Sequence, residues 1–346
     1  MPFEILEPAT IESIAAQKGV NSKPTSRLQL ESCADLWSQP VIEIEWTIRG
    51  LLPKGLYLLA DREKGGKSYL AMQVALAVAQ GRPIFPNSDD FRPDTPGRVH
   101  YYDLEMDGET FKSRLRELCK SADGLERMHR VTELERLTES GIAELSALQA
   151  GQRADLIVLD TLTAAVRAGG STNQSIWKAE YEELACLRDV AHKTDCSILV
   201  LHHTNKTAGA SPFDSIAGTR ARGAATDGNF VVSRNGNVIT LHAVTRRTAP
   251  IEIALGLFRQ GVPGWSLIGD AKAVKRSEER DAILRLLANG PSMLARDIAE
   301  TLGENRKAIG MRLTRMARDG EVERNPDGTY AAVLSPRDAG SFADER

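Results

Sequence analysis

The chain has 346 residues, 42% hydrophobic and 26% charged, with a formal net charge of −3. That length is too great for one small domain and comfortable for two, and the composition is that of an ordinary soluble globular protein rather than a polycation. No run of about 18 or more apolar residues occurs, so no membrane span is expected, and any contact with nucleic acid has to come from local basic patches.

The opening stretch MPFEILEPATIESIAAQKG lacks a basic segment followed by an apolar core, so it does not read as a secretory signal. Cys33, Cys119, Cys186 and Cys196 are scattered without metal-ligand or redox spacing. A reduced, cytoplasmic setting is expected. Residues 1–40 read as a loosely packed arm with one short helix near Thr10–Gln17.

From Gly55 the pattern changes. Leu56–Ala60 is a short apolar run bounded by glycine and a charged turn, which suits a buried parallel strand. Ser68–Gln80, rich in Ala, Leu and Val, predicts a helix ended by Gly81 and Pro83. Residues 83–97 are dense in Pro and Asp and predict a loop. Strands are then expected at Val99–Leu104, Asp155–Asp160 and Ser197–His202, with helices at Glu109–Ser121, Gly141–Ala150 and Ile176–Lys193. This alternation predicts an α/β fold with a parallel sheet and helices on both faces. Asn229–Arg234 and Asn237–Val244 flank Asn235-Gly236, a hairpin signal, and Ile251–Phe258 continues it as an antiparallel extension.

A second unit begins near Lys272. Helices are predicted at Glu278–Ala288, Leu294–Leu302 and Asn305–Asp319, and Glu321–Val333 turns at Asn325-Pro326-Asp327-Gly328 between two extended runs. Three helices followed by a hairpin is the winged-helix order. The tail Ser335–Arg346 is polar and expected to fray.

The segment LLADREKGGKSYLA lies between a strand and a helix, and Gly66-Lys67-Ser68 fits the second half of G-x-x-x-x-G-K-[ST]. Loop and helix N-terminal amides there point at phosphates, and the helix dipole favours anions. The Lys67 ammonium reaches the β- and γ-phosphates and the Ser68 hydroxyl ligates Mg²⁺ in such a site. The expected nucleotide-binding set is Lys64, Gly65, Gly66, Lys67, Ser68 and Tyr69. One departure stands out: the first glycine of the motif falls on Asp61. Its carboxylate either bonds loop amides or, aimed at the phosphates, weakens binding.

Strand ends supply the remaining candidates, because α/β sheets open a crevice at the carboxyl ends of their strands. Asp160 ends DLIVLD and can hold Mg²⁺, directly or through water, although Asp-Thr also suits a helix cap. Glu105 ends VHYYDLE and can accept a proton from an attacking water, with Asp103 as its competitor. His202-His203-Thr204-Asn205 ends the last parallel strand, where a polar side chain can sense a γ-phosphate.

Five pieces together carry a family likeness: IEWTIRGLLPKGLYLLADREKGGKSYLA, RVHYYDLEMDG, DLIVLDTLTAA, SILVLHHTNK and GTRARGAATDGNFVVSR. On them the chain resembles RecA-like hexameric P-loop ATPases of the plasmid RepA helicase type, related to the DnaB replicative helicases, from about Pro40 to Phe258. The resemblance implies ATP bound between subunits of a ring, with DNA in the central channel. It also implies Lys67 and Ser68 as the Walker A end, Glu105 as the catalytic glutamate, Asp160 as the Walker B aspartate and His203 as the terminal-strand histidine. For the arginine finger it leaves Arg247, Arg222 and Arg220 open, with Arg247 preferred because Arg246-Arg247 precede Thr248-Ala249-Pro250.

Two regions are candidates for DNA. The loop 204–216 carries Lys206 but few basic or stacking residues. In Asn305–Asp319, Ile309, Leu313, Met316 and Ala317 share a packing face, leaving Lys307, Thr314, Arg315 and Arg318 outward and Arg306 and Arg312 near the rim. The expected organisation is an arm over 1–40, a RecA-like ATPase domain over 41–270, a small winged-helix domain over 271–334 and a flexible tail. The expected function is a DNA-linked, oligomeric, Mg²⁺-dependent ATPase. The alternatives are an ATP-gated winged-helix regulator without unwinding activity, and a scaffold that does not hydrolyse ATP.

Overall fold

A computed structural model describes residues 30–41, 43–166, 176–205, 211–217, 220–235, 238–257, 263–288 and 290–333. The expected helix near Thr10–Gln17, Lys206 and the tail from Ser335 lie outside the described residues. The chain divides into one unit up to Glu43 and another from Ile44 onward. In the first, helix α1 (Cys33–Ser38) opens with the Ser32 hydroxyl accepting a hydrogen bond from the Ala34 amide.

The second unit runs β1 (Trp46–Ile48), β2 (Leu52–Pro53), β3 (Gly55–Asp61), α2 (Lys67–Gln80), β4 (Val99–Asp103), α3 (Gly108–Leu118), β5 (Met128–Val131), α4 (Glu139–Gly151), β6 (Leu156–Asp160), α5 (Leu162–Ala165), α6 (Ile176–Thr194), β7 (Ser197–His203), α7 (Arg220–Ala225), β8 (Gly228–Asn235), β9 (Val238–Thr245), β10 (Ile251–Leu257) and β11 (Trp265–Asp270). It continues with α8 (Ala271–Ala288), β12 (Met293–Leu294), α9 (Ala295–Leu302), α10 (Arg306–Arg318), β13 (Val322–Arg324) and β14 (Thr329–Ala332).

One sheet has the order β11-β10-β9-β8-β3-β7-β6-β4-β5. Strands β8, β3, β7, β6, β4 and β5 are parallel, and β9, β10 and β11 extend it antiparallel beyond β8. Strand β3, which leads into the Gly66-Lys67-Ser68 turn, and the acid-bearing β6 are separated by β7 alone. Side chains alternate between two cores. Tyr57 and Leu59 point to one with α2, while Leu56, Leu58 and Ala60 point to the other with Leu184, Leu187 and Val190 of α6. That double burial explains why the central strands read as unbroken apolar runs. Helix α2 is buried all round from Leu70 to Ala79, since the sheet covers one side and α3 and β11 approach from others.

Several elements were not visible in the periodicity, β5 and β11 among them, and one predicted helix, α8, begins earlier than expected. Edge strand β5 is only four residues long and carries His129 and Arg130. Strand β11 (WSLIGD) mixes apolar with polar and glycine positions. Helix α8 starts at Ala271 rather than Glu278, because the Asp270 carboxylate accepts the Ala273 amide at 2.8 Å and starts the helix before its apolar stripe begins.

Beyond the sheet, α8, α9 and α10 and the small sheet β12-β14-β13 enclose a separate core of Ile283, Leu287, Ile298, Ile309, Leu313, Met316 and Tyr330. Among the described residues no helix is long and apolar enough to cross a membrane. The four cysteines are free thiols.

Burial holds two sheet histidines neutral. His100 is pushed down to about 4 by its burial, with the neighbouring His129 adding to it. His202 is pushed down to about 4 by burial and by the Arg222 guanidinium beside it. The unfolded chain binds these protons from about pH 6.5, whereas the folded chain does so only near 4, so stability is complete above 6.5 and is lost as pH falls between the two. Relative to a His100→Gln variant, the wild-type chain should lose about 1–2 kcal/mol more between pH 7 and pH 5 in denaturant unfolding. Parallel pH profiles for the two proteins would refute this.

Candidate functional site

Strand register decides what meets at the carboxyl edge of the sheet. Asp61 pairs with His203, and Asp103 pairs with Asp160. The ends of β3, β7, β6 and β4 therefore stand in a row. Between β3 and α2 the chain turns through Lys64 at φ 56° and Gly66 at φ 106°. Helix α2 starts at Lys67, so its unpaired first-turn amides face an open pocket lined by residues 62–69, Glu105, Arg114 and residues 203–205.

Lys67 is buried, with its Nζ 3.3 Å from His203 Nδ1. The Asp160 Oδ2 accepts from Tyr101 Oη at 2.9 Å, and the Ser68 side chain lies near enough to act on the same carboxylate. Burial raises the Asp160 carboxyl above its ordinary range, the Glu105 charge adds to this, and the Tyr101 and Ser68 hydrogen bonds and the Lys67 charge oppose it. Glu105 Oε1 accepts from Thr161 Oγ1 at 2.6 Å. Lys67, Ser68, Glu105, Asp160 and His203 thus converge. Lys64, Gly65, Gly66 and Tyr69 form the wall. Tyr69 donates to Glu117 at 2.9 Å, under the Arg114 guanidinium at 4.9 Å.

The two acids that competed in the sequence occupy different environments. Asp103 is buried and ion-paired with Arg130 at 2.7 Å, and its Oδ1 accepts the Met106 amide at 3.0 Å. Glu105, two residues on, is past the strand end and reaches the pocket.

Asp61, at the place of the first loop glycine, is completely buried. Its carboxylate accepts a two-pronged contact from Arg234 at 2.6 and 3.2 Å and the Arg62 amide at 2.7 Å. Arg234 also donates to the Gly65 carbonyl. On the same side, Trp265 Nε1 donates to the Gly66 carbonyl at 3.0 Å. A Cβ at position 66 would stand 2.9 Å from the indole, so both the space and the positive φ require glycine there. Arg234 and Trp265 carry no motif of their own. The only hint was that Arg234 precedes the Asn235-Gly236 turn, on a strand next to β3.

The family described as an AAA domain matches residues 23–209, more than half of the chain, and spans the loop, Glu105, Asp160 and His203. The chain belongs to this AAA domain family. Its core is a P-loop ATPase domain of RecA-like architecture. No curated protein matches it. Among solved structures it is similar to a KaiC-like protein from the hyperthermophilic archaeon Pyrococcus horikoshii OT3, at 11% identity and a TM-score of 0.44, covering 64% of this chain and 93% of that one.

The three arginines considered for the finger differ. Arg222 is tied within the AAA domain's own chain, 3.3 Å from Glu180 and 2.9 Å from His202 Nε2. Arg247 is exposed after β9, whose end pairs with Gly228 and, through it, with the Tyr57 end of β3, opposite the phosphate loop. The side chain of Arg220 lies outside the described residues.

The contrast between the acids is measurable. Asp103→Asn, which leaves Arg130 without its counter-charge, should lower the unfolding free energy by about 2–3 kcal/mol. Glu105→Gln should stay within about 0.5 kcal/mol of wild type. Equal losses in the two variants, read by chemical denaturation, would contradict the assignment of Asp103 to structure.

Proposed function

We propose that the chain is a Mg²⁺-dependent ATP hydrolase that assembles into a ring on DNA, as a helicase or replication factor of the RepA type. What carries this reading is the convergence of Lys67, Ser68, Glu105, Asp160 and His203 on the pocket at the N-terminus of α2. Loop amides and Lys67 bind the phosphates. The Ser68 hydroxyl and the Asp160 carboxylate, close to one another, are hard oxygen donors of the kind Mg²⁺ prefers. Among the described residues no group of three His, Cys, Asp or Glu is placed to hold a metal alone, which suits a cation completed by phosphate oxygens and water. When bound, Mg²⁺ neutralises charge on the phosphates.

Glu105 serves as the base that takes the proton of the attacking water. Thr161, donating to its Oε1, fixes the carboxylate's direction. His203, in contact with Lys67, lies where loss of the γ-phosphate alters its partner. Arg247, exposed and remote from its own loop, is available to a neighbouring subunit as the finger.

A second reading, an ATP-gated regulator without unwinding activity, draws on α10. Lys307, Met311, Thr314, Arg315 and Arg318 are exposed at helical spacing, opposite the buried Ile309, Leu313 and Met316. Arg312 does not belong to that stripe, because Glu279 at 2.6 Å and Glu304 at 2.9 Å hold it. Such a face suits contact with a nucleic-acid groove.

Lys67→Ala should abolish ATP binding or turnover, and Glu105→Gln should bind ATP while slowing turnover by about 10²–10⁴-fold. Normal turnover by Glu105→Gln in a steady-state phosphate-release assay would sink the base assignment. Strand displacement with ATP separates the two readings: the helicase unwinds, while the regulator hydrolyses without unwinding. Lys307→Glu with Arg315→Glu should weaken DNA binding by about tenfold or more and flatten its salt dependence. Unchanged affinity in a salt titration would remove α10 from the interface.

A further inference from the structure

The residue at the first glycine position of the loop is a fully buried acid, and its counter-ion comes from a strand beyond the segment that matches the family. The Asp61 carboxylate has no exposure and the Arg234 side chain very little. Such a pair is worth little as stability in itself, but losing one partner strands a charge. Here a stranded charge would lie directly beneath the phosphate loop, because a Cβ at Gly65 would meet the Asp61 carboxylate.

Arg234 binds the loop twice, through Asp61 and through the Gly65 carbonyl. Trp265 holds the next carbonyl, that of Gly66. In a planar trans peptide the C=O and the N–H point in opposite directions. Fixing the Gly65 and Gly66 carbonyls toward the sheet extension therefore turns the Gly66 and Lys67 amides the other way, toward the pocket. The loop lacks the flexible first glycine, and side chains from β8 and β11 hold two of its carbonyls.

We propose that Asp61 and Arg234 form a lock that positions the phosphate loop, so that affinity for the triphosphate depends on the pair rather than on either residue. Arg234 is then a positioning residue, outside the reach of the phosphates, acting through Asp61 and Gly65. This rests on the reading of the pocket as an ATP site, and the pair also accounts for why a carboxylate is tolerated beside bound phosphate: its charge is already matched.

The test is a four-protein comparison of wild type, Arg234→Met, Asp61→Gly and the double variant, each as the full chain. Two readouts are taken, affinity for a non-hydrolysable ATP analogue with Mg²⁺, and amide hydrogen exchange of the peptide spanning residues 61–69 without nucleotide. Arg234→Met should weaken analogue binding at least tenfold and speed exchange of the loop. The double variant, which removes the stranded charge and restores the glycine, should recover to within about threefold of wild type. A purely structural role would not give that recovery, since the double variant removes more contacts than either single one. Wild-type affinity in Arg234→Met, or a double variant as weak as Arg234→Met, would overturn the lock. If wild type itself binds no nucleotide, the ATP reading fails, and hydrogen exchange alone decides the lock: faster exchange in Arg234→Met with recovery in the double variant supports it, and unchanged exchange refutes it.

Discussion

Parallel pairing of β3 with β7, from Gly55 opposite Ser197 to Asp61 opposite His203, is the constraint on which the site depends. It places Lys67, at the start of the helix after β3, against the last residue of β7. The next pairing, of β7 with β6, brings Asp160 into reach of Ser68. A slip of one residue in either register would turn alternate side chains to the opposite face of the sheet. The two cores resist such a slip, because each strand sends alternate large residues into each of them. Packing of Leu56–Ala60 against helices on both sides thus sets the position of groups at the strand's far end.

Electrostatics inside the pocket follow from that convergence. Asp160 and Lys67 are buried while Glu105 is exposed at the pocket, and burial pushes Asp160 toward its protonated form while Lys67, Tyr101 and Ser68 pull it back. A carboxylate held this way has hydrogen bonds but no full counter-charge of its own, which leaves it receptive to a cation. Asp103 stands apart, since Arg130 already matches it. The same sequence segment, VHYYDLE, therefore yields one acid committed to the fold and one open to the pocket.

Much of the parallel core was legible because double burial writes continuous apolar runs, because Gly66-Lys67-Ser68 opens a helix after one of them, and because Glu105, Asp160 and His203 sit at or just past strand ends. What could not be read lies where the signal is tertiary. Strand β5 is short and half-exposed, and β11 carries too few apolar residues to stand out. The meaning of Asp61 depended on Arg234, more than a hundred and seventy positions away. Trp265 carries no motif, and only the pairing of β11 brings its indole to the Gly66 carbonyl. The burial of Arg222 beside Glu180 and His202 was equally invisible, since neither arginine of GTRARGAATDG carries a sign of its partners in the sequence.

Strand β11 begins with the indole that braces Gly66, and helix α8 begins at the residue after its end. That helix then runs without interruption into the core it shares with α9 and α10, contributing Ile283 and Leu287. One continuous stretch of chain thus joins the floor of the phosphate loop to the core of the C-terminal helices, with Ala271 and Val274 packed against Val238 and Ala254 of the sheet extension.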